Sequence, residues 1–213
     1  FDWADLIDNE DKVRMLIDPT SDYARAAAMA MGRAMDEVLI DAALGNAYTG
    51  VSGGTSTAGQ TAVAAGGTGL TLAKLLTAKE TMDGDDVGED GRAIVCTADQ
   101  ITDLLNTTAI QSADFNTVKA LARGEVDSFL GFRFIPVNGK RTDGSKLVPV
   151  DGSSDRRCFA FQGDGLLLGV GADMNTKISE RADKNYATQV FCSMSIGGTR
   201  MEEARVLEIL CAE

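Results

Sequence analysis

The chain has 213 residues, enough for one large or two small domains, and 44% hydrophobic content with 24% charge sets it apart from disordered and fibrous sequences. With 32 acidic residues against 20 basic ones the formal charge is −12, which argues against grip on nucleic acid through phosphate neutralisation. There is no histidine, so the usual general base near neutral pH is missing, and no stretch approaches the ~20 apolar residues that span a bilayer.

The opening Phe1-Asp2-Trp3-Ala4-Asp5-Leu6-Ile7 lacks an initiator Met and the charged start of a secretion signal; it reads as ordered structure in a truncated or processed polypeptide. Asp18-Pro19-Thr20-Ser21 has the proline and hydroxyls of a helix start, and a helix is predicted over 21–44. On a wheel of ~100° per residue, Ala24, Ala27, Met31, Met35, Val38 and Ala42 share one face, while Asp22, Arg25, Arg33, Asp36 and Glu37 gather opposite. Small residues allow close approach and Met fills irregular gaps, so this helix, roughly 35 Å long, reads as a spine on which other elements hang.

Residues 45–69 turn into Gly, Ser, Thr and Ala with almost no charge, too little apolar surface to order itself, and are expected to be a linker. Next come a predicted helix over 71–83 with Leu72, Leu75, Leu76 and Met82 inward, and a strand over 92–96. A helix then starts at Thr97, where Thr97-Ala98-Asp99-Gln100 has capping-box spacing, and a further helix is predicted over 116–123. Strands follow at 128–137, 158–162, 165–170, 177–181, 187–196 and 206–211, with a polar loop over 138–157. Early helices and late strands without regular alternation indicate an α+β fold.

Gly163-Asp164-Gly165 sits between two apolar runs of strand character, which predicts a hairpin turn and not a nucleotide loop. Gly66-Gly67-Thr68-Gly69 lacks the Gly-Lys-Ser/Thr ending that grips phosphate and magnesium, and reads as a flexible hinge. Asp83, Asp85, Asp86, Glu89 and Asp90 offer oxygen ligands to a hard cation, and a metal-dependent enzyme built on them is the most distant alternative; their spacing fits an acidic surface turn instead. Cys96, Cys158, Cys192 and Cys211 lie far apart in apolar runs, as reduced, buried residues of a protein that folds inside a cell. No cofactor and no catalytic residue is assigned. The charge-dense segments 178–184 and 199–205 are candidates for inter-subunit ion pairs, which set register and specificity.

The chain resembles the major capsid proteins of tailed double-stranded DNA phages, of the Hong Kong 97-type fold. The resemblance rests on Trp3-Ala4-Asp5-Leu6-Ile7-Asp8, Leu16-Ile17-Asp18-Pro19-Thr20-Ser21-Asp22-Tyr23, Gly32-Arg33-Ala34, Ala47-Tyr48-Thr49-Gly50, Gly67-Thr68-Gly69-Leu70-Thr71, Leu104-Leu105-Asn106-Thr107-Thr108, Phe129-Leu130-Gly131-Phe132, Ile178-Ser179-Glu180-Arg181-Ala182-Asp183-Lys184 and Ile196-Gly197-Gly198-Thr199-Arg200-Met201-Glu202-Glu203. It implies a peripheral domain (1–46, with the spine helix, and 177–213, with the late strands) and an axial domain (70–176) inserted after a Gly-rich linker (47–69). The N-terminal arm and extended loop that such proteins carry before this segment are expected to be absent here.

What the resemblance implies for function is a non-enzymatic structural subunit that assembles with itself into pentamers and hexamers of an icosahedral shell, enclosing double-stranded DNA without reading its sequence. Portal, scaffolding or decoration proteins are the further partners, with no membrane, and the place is the virion after assembly in the host bacterial cytoplasm. The candidate interface residues are Asp22, Arg25, Arg33, Glu37, Glu180, Arg181, Asp183, Lys184, Arg200, Glu202 and Arg205. An encapsulin-like cellular compartment, enclosing protein cargo, is the alternative within the same fold.

Overall fold

The computed structural model describes residues 1–8, 20–49, 54–58, 60–106, 128–141 and 143–213. The predicted helix over 116–123 and the helix-start motif at Asp18-Pro19 lie outside the described residues. The chain divides into two compact units, 1–38 with 168–197 and 39–167 with 198–213.

The first unit is a three-stranded sheet packed on a helix. Strand β1 (Asp2–Ile7) runs antiparallel to β10 (Ala187–Arg200), with Asp2 opposite Ser193 and Ile7 opposite Thr188, and β9 (Leu166–Arg181) completes the order β1-β10-β9. Helix α1 (Thr20–Leu44) sets buried Ala27 and Met31 against Cys192 and Met194, with Trp3, Ala34, Met35 and Ile196 around them. The β10 residues in this contact alternate in sequence, as a strand with one covered face requires. Small and flexible side chains on the helix side let the backbones approach closely, as the Ala/Met composition predicts.

The second unit is a six-stranded mixed sheet in the order β4-β11-β8-β5-β7-β6. These are β4 (Gln60–Val63), β5 (Arg92–Cys96), β6 (Ser128–Phe129), β7 (Phe132–Pro136), β8 (Arg156–Gln162) and β11 (Val206–Cys211). The pairs β5/β7 and β4/β11 are parallel; β5/β8, β8/β11 and β6/β7 are antiparallel. Helices α2 (Leu72–Gly84) and α3 (Ala98–Asn106) supply Leu75, Ala78, Met82 and Leu104 to a cluster with Ile94, Cys96, Cys158, Ala160, Leu207, Ile209 and Cys211. The alternate residues Val95, Phe159 and Val206 join Ile40, Ala43, Leu44, Leu147 and Val148 in a second cluster. Central strand β5 is therefore buried at all five positions, and a fully buried side chain such as Leu75 or Met82 contributes about 1.5–3 kcal/mol.

The helix starts are as the sequence predicts. Thr71 caps α2, its side chain accepting from the Lys74 backbone N–H at 3.4 Å, and Gln100 Oε1 reaches back to accept from the Thr97 N–H at 3.1 Å. Several expectations need correction. In α2, Leu76 is 49% exposed, and its inward place goes to Lys74, whose ammonium donates to the carbonyls of Thr68 at 2.6 Å and Leu210 at 2.9 Å. In α1, Ala42 is half-buried and Ile40 and Ala43 are buried, because the stripe changes residues where the helix passes into the second unit at Leu39.

The expected linker 47–69 contains strands. Antiparallel β2 (Asn46–Thr49) and β3 (Gly54–Ala58) form a ribbon, and β4 pairs with β11, Leu207 opposite Gln60 and Ile209 opposite Val63. Backbone hydrogen bonds need no apolar side chains, so a Gly/Ser/Thr composition does not prevent pairing with a strand already held in a core. Strands predicted separately at 165–170 and 177–181 are one strand, β9, and the residues between them continue the ladder. Gly163-Asp164-Gly165 is a short 3-10 turn and not a hairpin, since β8 and β9 belong to different sheets. Gly165 is needed there for close approach: a Cβ would sit 2.7 Å from Arg205 Cβ.

Candidate assembly surfaces

The last turn of α1 carries no basic residue, although exposed carbonyls at a helix C-terminus attract cations. Two arginines distant in sequence meet this need. Arg200 Nη1 donates to the carbonyls of Ala43 (2.8 Å), Gly45 (2.5 Å) and Ala42 (3.4 Å), and its Nη2 lies 3.3 Å from Glu203 Oε1. Arg157 Nη2 donates to Leu44 O at 3.1 Å while the same guanidinium grips Glu208 through Nε–Oε1 (2.5 Å) and Nη2–Oε2 (3.2 Å). Gly45 itself is packed against the helix end, where a Cβ would meet Asp41 O at 2.6 Å. The Arg200 side chain is only 1% exposed. Its charge is spent inside the chain.

The other candidates from the late segments are largely self-paired. Glu202 and Arg205 are joined at 2.5 Å, and Arg205 also donates to Gln162 Oε1 at 3.0 Å. At the tip of the β9–β10 hairpin, Arg181 makes a two-pronged pair with Asp183, both contacts 2.8 Å, and donates to Gln189 Oε1 at 2.9 Å. The Arg181 hydrogen bonds hold the Asp183 carboxyl down at about 2. Glu180 and Lys184 are exposed at the same tip, which is shaped by left-handed Asn185 (φ 50°) and Tyr186 (φ 58°). On α1, Asp22, Arg25 and Arg33 are exposed and Glu37 is half-buried.

The acidic turn after α2 is organised by cations of the chain itself. Arg92, 3% exposed, donates to Asp83 Oδ1 at 2.6 Å, to Gly88 O at 3.0 Å and to Val87 O, and Lys79 bridges Asp83 (3.6 Å) and Glu89 (3.3 Å). The Arg92 hydrogen bond lowers the Asp83 carboxyl. The turn is salt-bridged to Arg92 and Lys79, and among the described residues no group of three or more Cys, Asp and Glu side chains is placed to hold a metal ion. No described helix is long and apolar enough to cross a membrane.

One polar centre had no signal in the sequence. Arg156 holds Glu213 through Nε–Oε1 (2.8 Å) and an Nη2–Oε2 contact, and donates to Val148 O at 2.7 Å; Gln100 Nε2 adds a bond to Glu213 at 3.2 Å, and Lys146 approaches Glu213 at 3.4 Å and Asp99 at 3.1 Å. The Arg156 hydrogen bonds keep the Glu213 carboxyl down at about 2. Partners 57 residues apart along the chain leave no local pattern to read. The four cysteines are all buried and free, as expected.

Three solved structures show where this architecture recurs. The capsid of cyanophage P-SCSP1u matches 100% of this chain and 72% of its own at 19% identity and a TM-score of 0.73. The head of Helicobacter pylori bacteriophage KHP40 matches 99% and 74% at 10% identity and 0.72, and a Mycobacterium phage Che8 chain 98% and 69% at 18% identity and 0.65. At these identities the likeness is one of fold. No curated protein sequence matches. A family model described as phage capsid protein matches residues 1–213, so this mixed helix-and-sheet chain belongs to the phage capsid protein family, as a structural major capsid subunit of the virion.

Proposed function

We propose that this subunit assembles into pentamers and hexamers that tile an icosahedral shell around double-stranded DNA. In this reading the fold is of the Hong Kong 97 type. The unit built on α1, β9 and β10 acts as the peripheral domain with α1 as its spine, and the unit built on the six-stranded sheet acts as the axial domain around five-fold and quasi-six-fold axes. The family match over residues 1–213 carries the proposal. A charge of −12 agrees with it, since a shell that releases its genome gains from weak phosphate binding. Assembly takes place in the host bacterial cytoplasm, with portal and scaffolding or decoration proteins as further partners.

Subunit contacts are assigned to exposed Asp22, Arg25 and Arg33 and half-buried Glu37 on α1, and to Glu180 and Lys184 beside the Arg181–Asp183 pair at the hairpin tip. Arg200, Glu202 and Arg205 act within the subunit, fixing the end of α1 and the turn before β11. Electron microscopy of the purified protein tests the reading. Rings of five and six or closed shells are expected, and a monomer that persists at high concentration overturns it. A Lys184→Glu variant is expected to assemble less while melting at the parent temperature.

A further inference from the structure

Strand β9 lies at the edge of its sheet: among the described residues, β10 is its one neighbour. It is 16 residues long, and every residue from Gly169 to Arg181 is exposed. Val170, Met174 and Ile178 line one face, 52%, 39% and 52% exposed. A long edge with unpaired backbone groups and apolar side chains is a template for pairing with another chain, and monomeric proteins blunt such edges with proline, bulges or rows of like charge. β9 has neither proline nor a row of like charge. The hairpin 166–197 carries three acids and three bases, neutral within a chain of charge −12. Two copies can therefore meet here without the repulsion their net charge imposes elsewhere.

We infer that β9 pairs antiparallel with β9 of a second copy about a two-fold axis, continuing the three-stranded sheet into one of six strands. The inference rests on the reading that this chain assembles with itself. A two-fold contact uses the same patch twice, so the patch must complement itself. Charge selects the register. Centring the pair on Asn175 sets Asp173 of each copy opposite Lys177 of the other, and Ala172 opposite Ile178. Centring it two residues later puts Lys177 on Lys177, and two residues earlier puts Asp173 on Asp173. Directly opposed like charges destabilise a ladder and opposite ones support it. Within the chain, Asp173 accepts from its neighbour's backbone, Met174 N, at 2.8 Å, and neither Asp173 nor Lys177 forms an ion pair with a described residue.

The test is an Asn175→Cys variant of the full chain. Residues opposed in an antiparallel pair have Cα atoms about 4.5–5.5 Å apart, within disulfide range, and the native thiols are buried. After air oxidation of concentrated protein, a disulfide-linked dimer is expected as the main species on a non-reducing gel, with none from an Asp85→Cys control. In the Asn175→Cys background, Lys177→Asp is expected to lower dimer yield by about fivefold and Asp173→Lys/Lys177→Asp to restore it, because reversing both charges recreates the cross-strand pairs. Rings or shells in the microscope without the inter-subunit disulfide in the Asn175→Cys variant, or a double reversal no better than the single one, overturn the β9 pairing and leave the assembly reading standing. A sample that forms neither particles nor dimers overturns both.

Discussion

Arg200 Nη1 lies 2.8 Å from the carbonyl oxygen of Ala43, joining the end of β10 to the last turn of α1 across 157 residues of sequence. The guanidinium is almost wholly buried, and the helix end it serves has no cation of its own. Removing a buried charged donor orphans the carbonyls it satisfied and strands Glu203, a loss of about 3 kcal/mol or more. Arg200→Ala is therefore expected to lower the melting temperature by about 6–12 °C in a chain of this size. Arg200→Lys keeps the charge but not the fork and should fall between the two. Melting of Arg200→Ala within ~2 °C of the parent would show that the clamp contributes little.

Glu213 gives the fold a definite acid sensitivity. Its carboxyl is held at about 2 against an ordinary 4.5, so the folded state favours the ionised form more than the unfolded state does. The resulting stabilisation is fully present above pH 4.5 and is lost as pH falls from there towards 2. Denaturant titrations at pH 7, 4 and 3, chosen to bracket this window, should show stability falling, with a smaller fall in Glu213→Gln. Identical pH profiles in the two proteins would assign the acid sensitivity to other carboxylates, Asp183 and Asp83 first.

Gly165 and Gly169 predict opposite responses to the same added methyl group. At Gly165 the new carbon meets Arg205 Cβ at 2.7 Å and its carbonyl oxygen at 3.2 Å, so Gly165→Ala should destabilise by about 1–3 kcal/mol. At Gly169 the nearest atom is Gly197 O at 3.6 Å, ordinary contact, and Gly169→Ala should be neutral or stabilising by up to about 1 kcal/mol through the unfolded chain. Urea midpoints that fall equally in both variants would remove the steric explanation.

These positions also mark what a single sequence can and cannot reveal. The Thr97–Gln100 cap was legible because capping acts over three or four residues, and the Ala/Met stripe of α1 because helical periodicity is local. The Arg200 clamp was not: the charge-dense segment 199–205 suggests inter-subunit ion pairs until the fold brings the carbonyls of residues 42–45 to Arg200. Lys74 was hidden for the same reason, its two carbonyl partners being defined only once β11 is in place. The strands within 47–69 were missed because pairing partners, and not side-chain hydrophobicity, order β4. The family resemblance was visible because it rests on the order of many weak segments along the whole chain.

The four cysteines allow a direct measurement of how tightly the interior is closed. Cys96, Cys158 and Cys211 sit in the cluster beneath α2 and α3, and Cys192 lies under α1, its sulfur 3.2 Å from Thr176 Oγ1. Burial pushes the Cys96 thiol up to about 12, and the hydrogen bond to Cys211 together with burial raises Cys158 as well. The thiolate is the reactive form, so at pH 8 these two groups are both covered and protonated. The hydrogen bond with Cys158 lowers Cys211 instead, but all four thiols are buried, so on access alone a thiol reagent such as dithionitrobenzoate should titrate no cysteine of the native protein at pH 8 and four after unfolding in guanidinium. The native reaction should proceed at the rate of unfolding, which would make it a readout of opening for the Arg200, Gly165, Gly169 and Glu213 variants. Prompt modification of one thiol at full native stability would mean that the closed core described here opens locally, and tryptic mapping of the labelled residue would say in which of the two clusters.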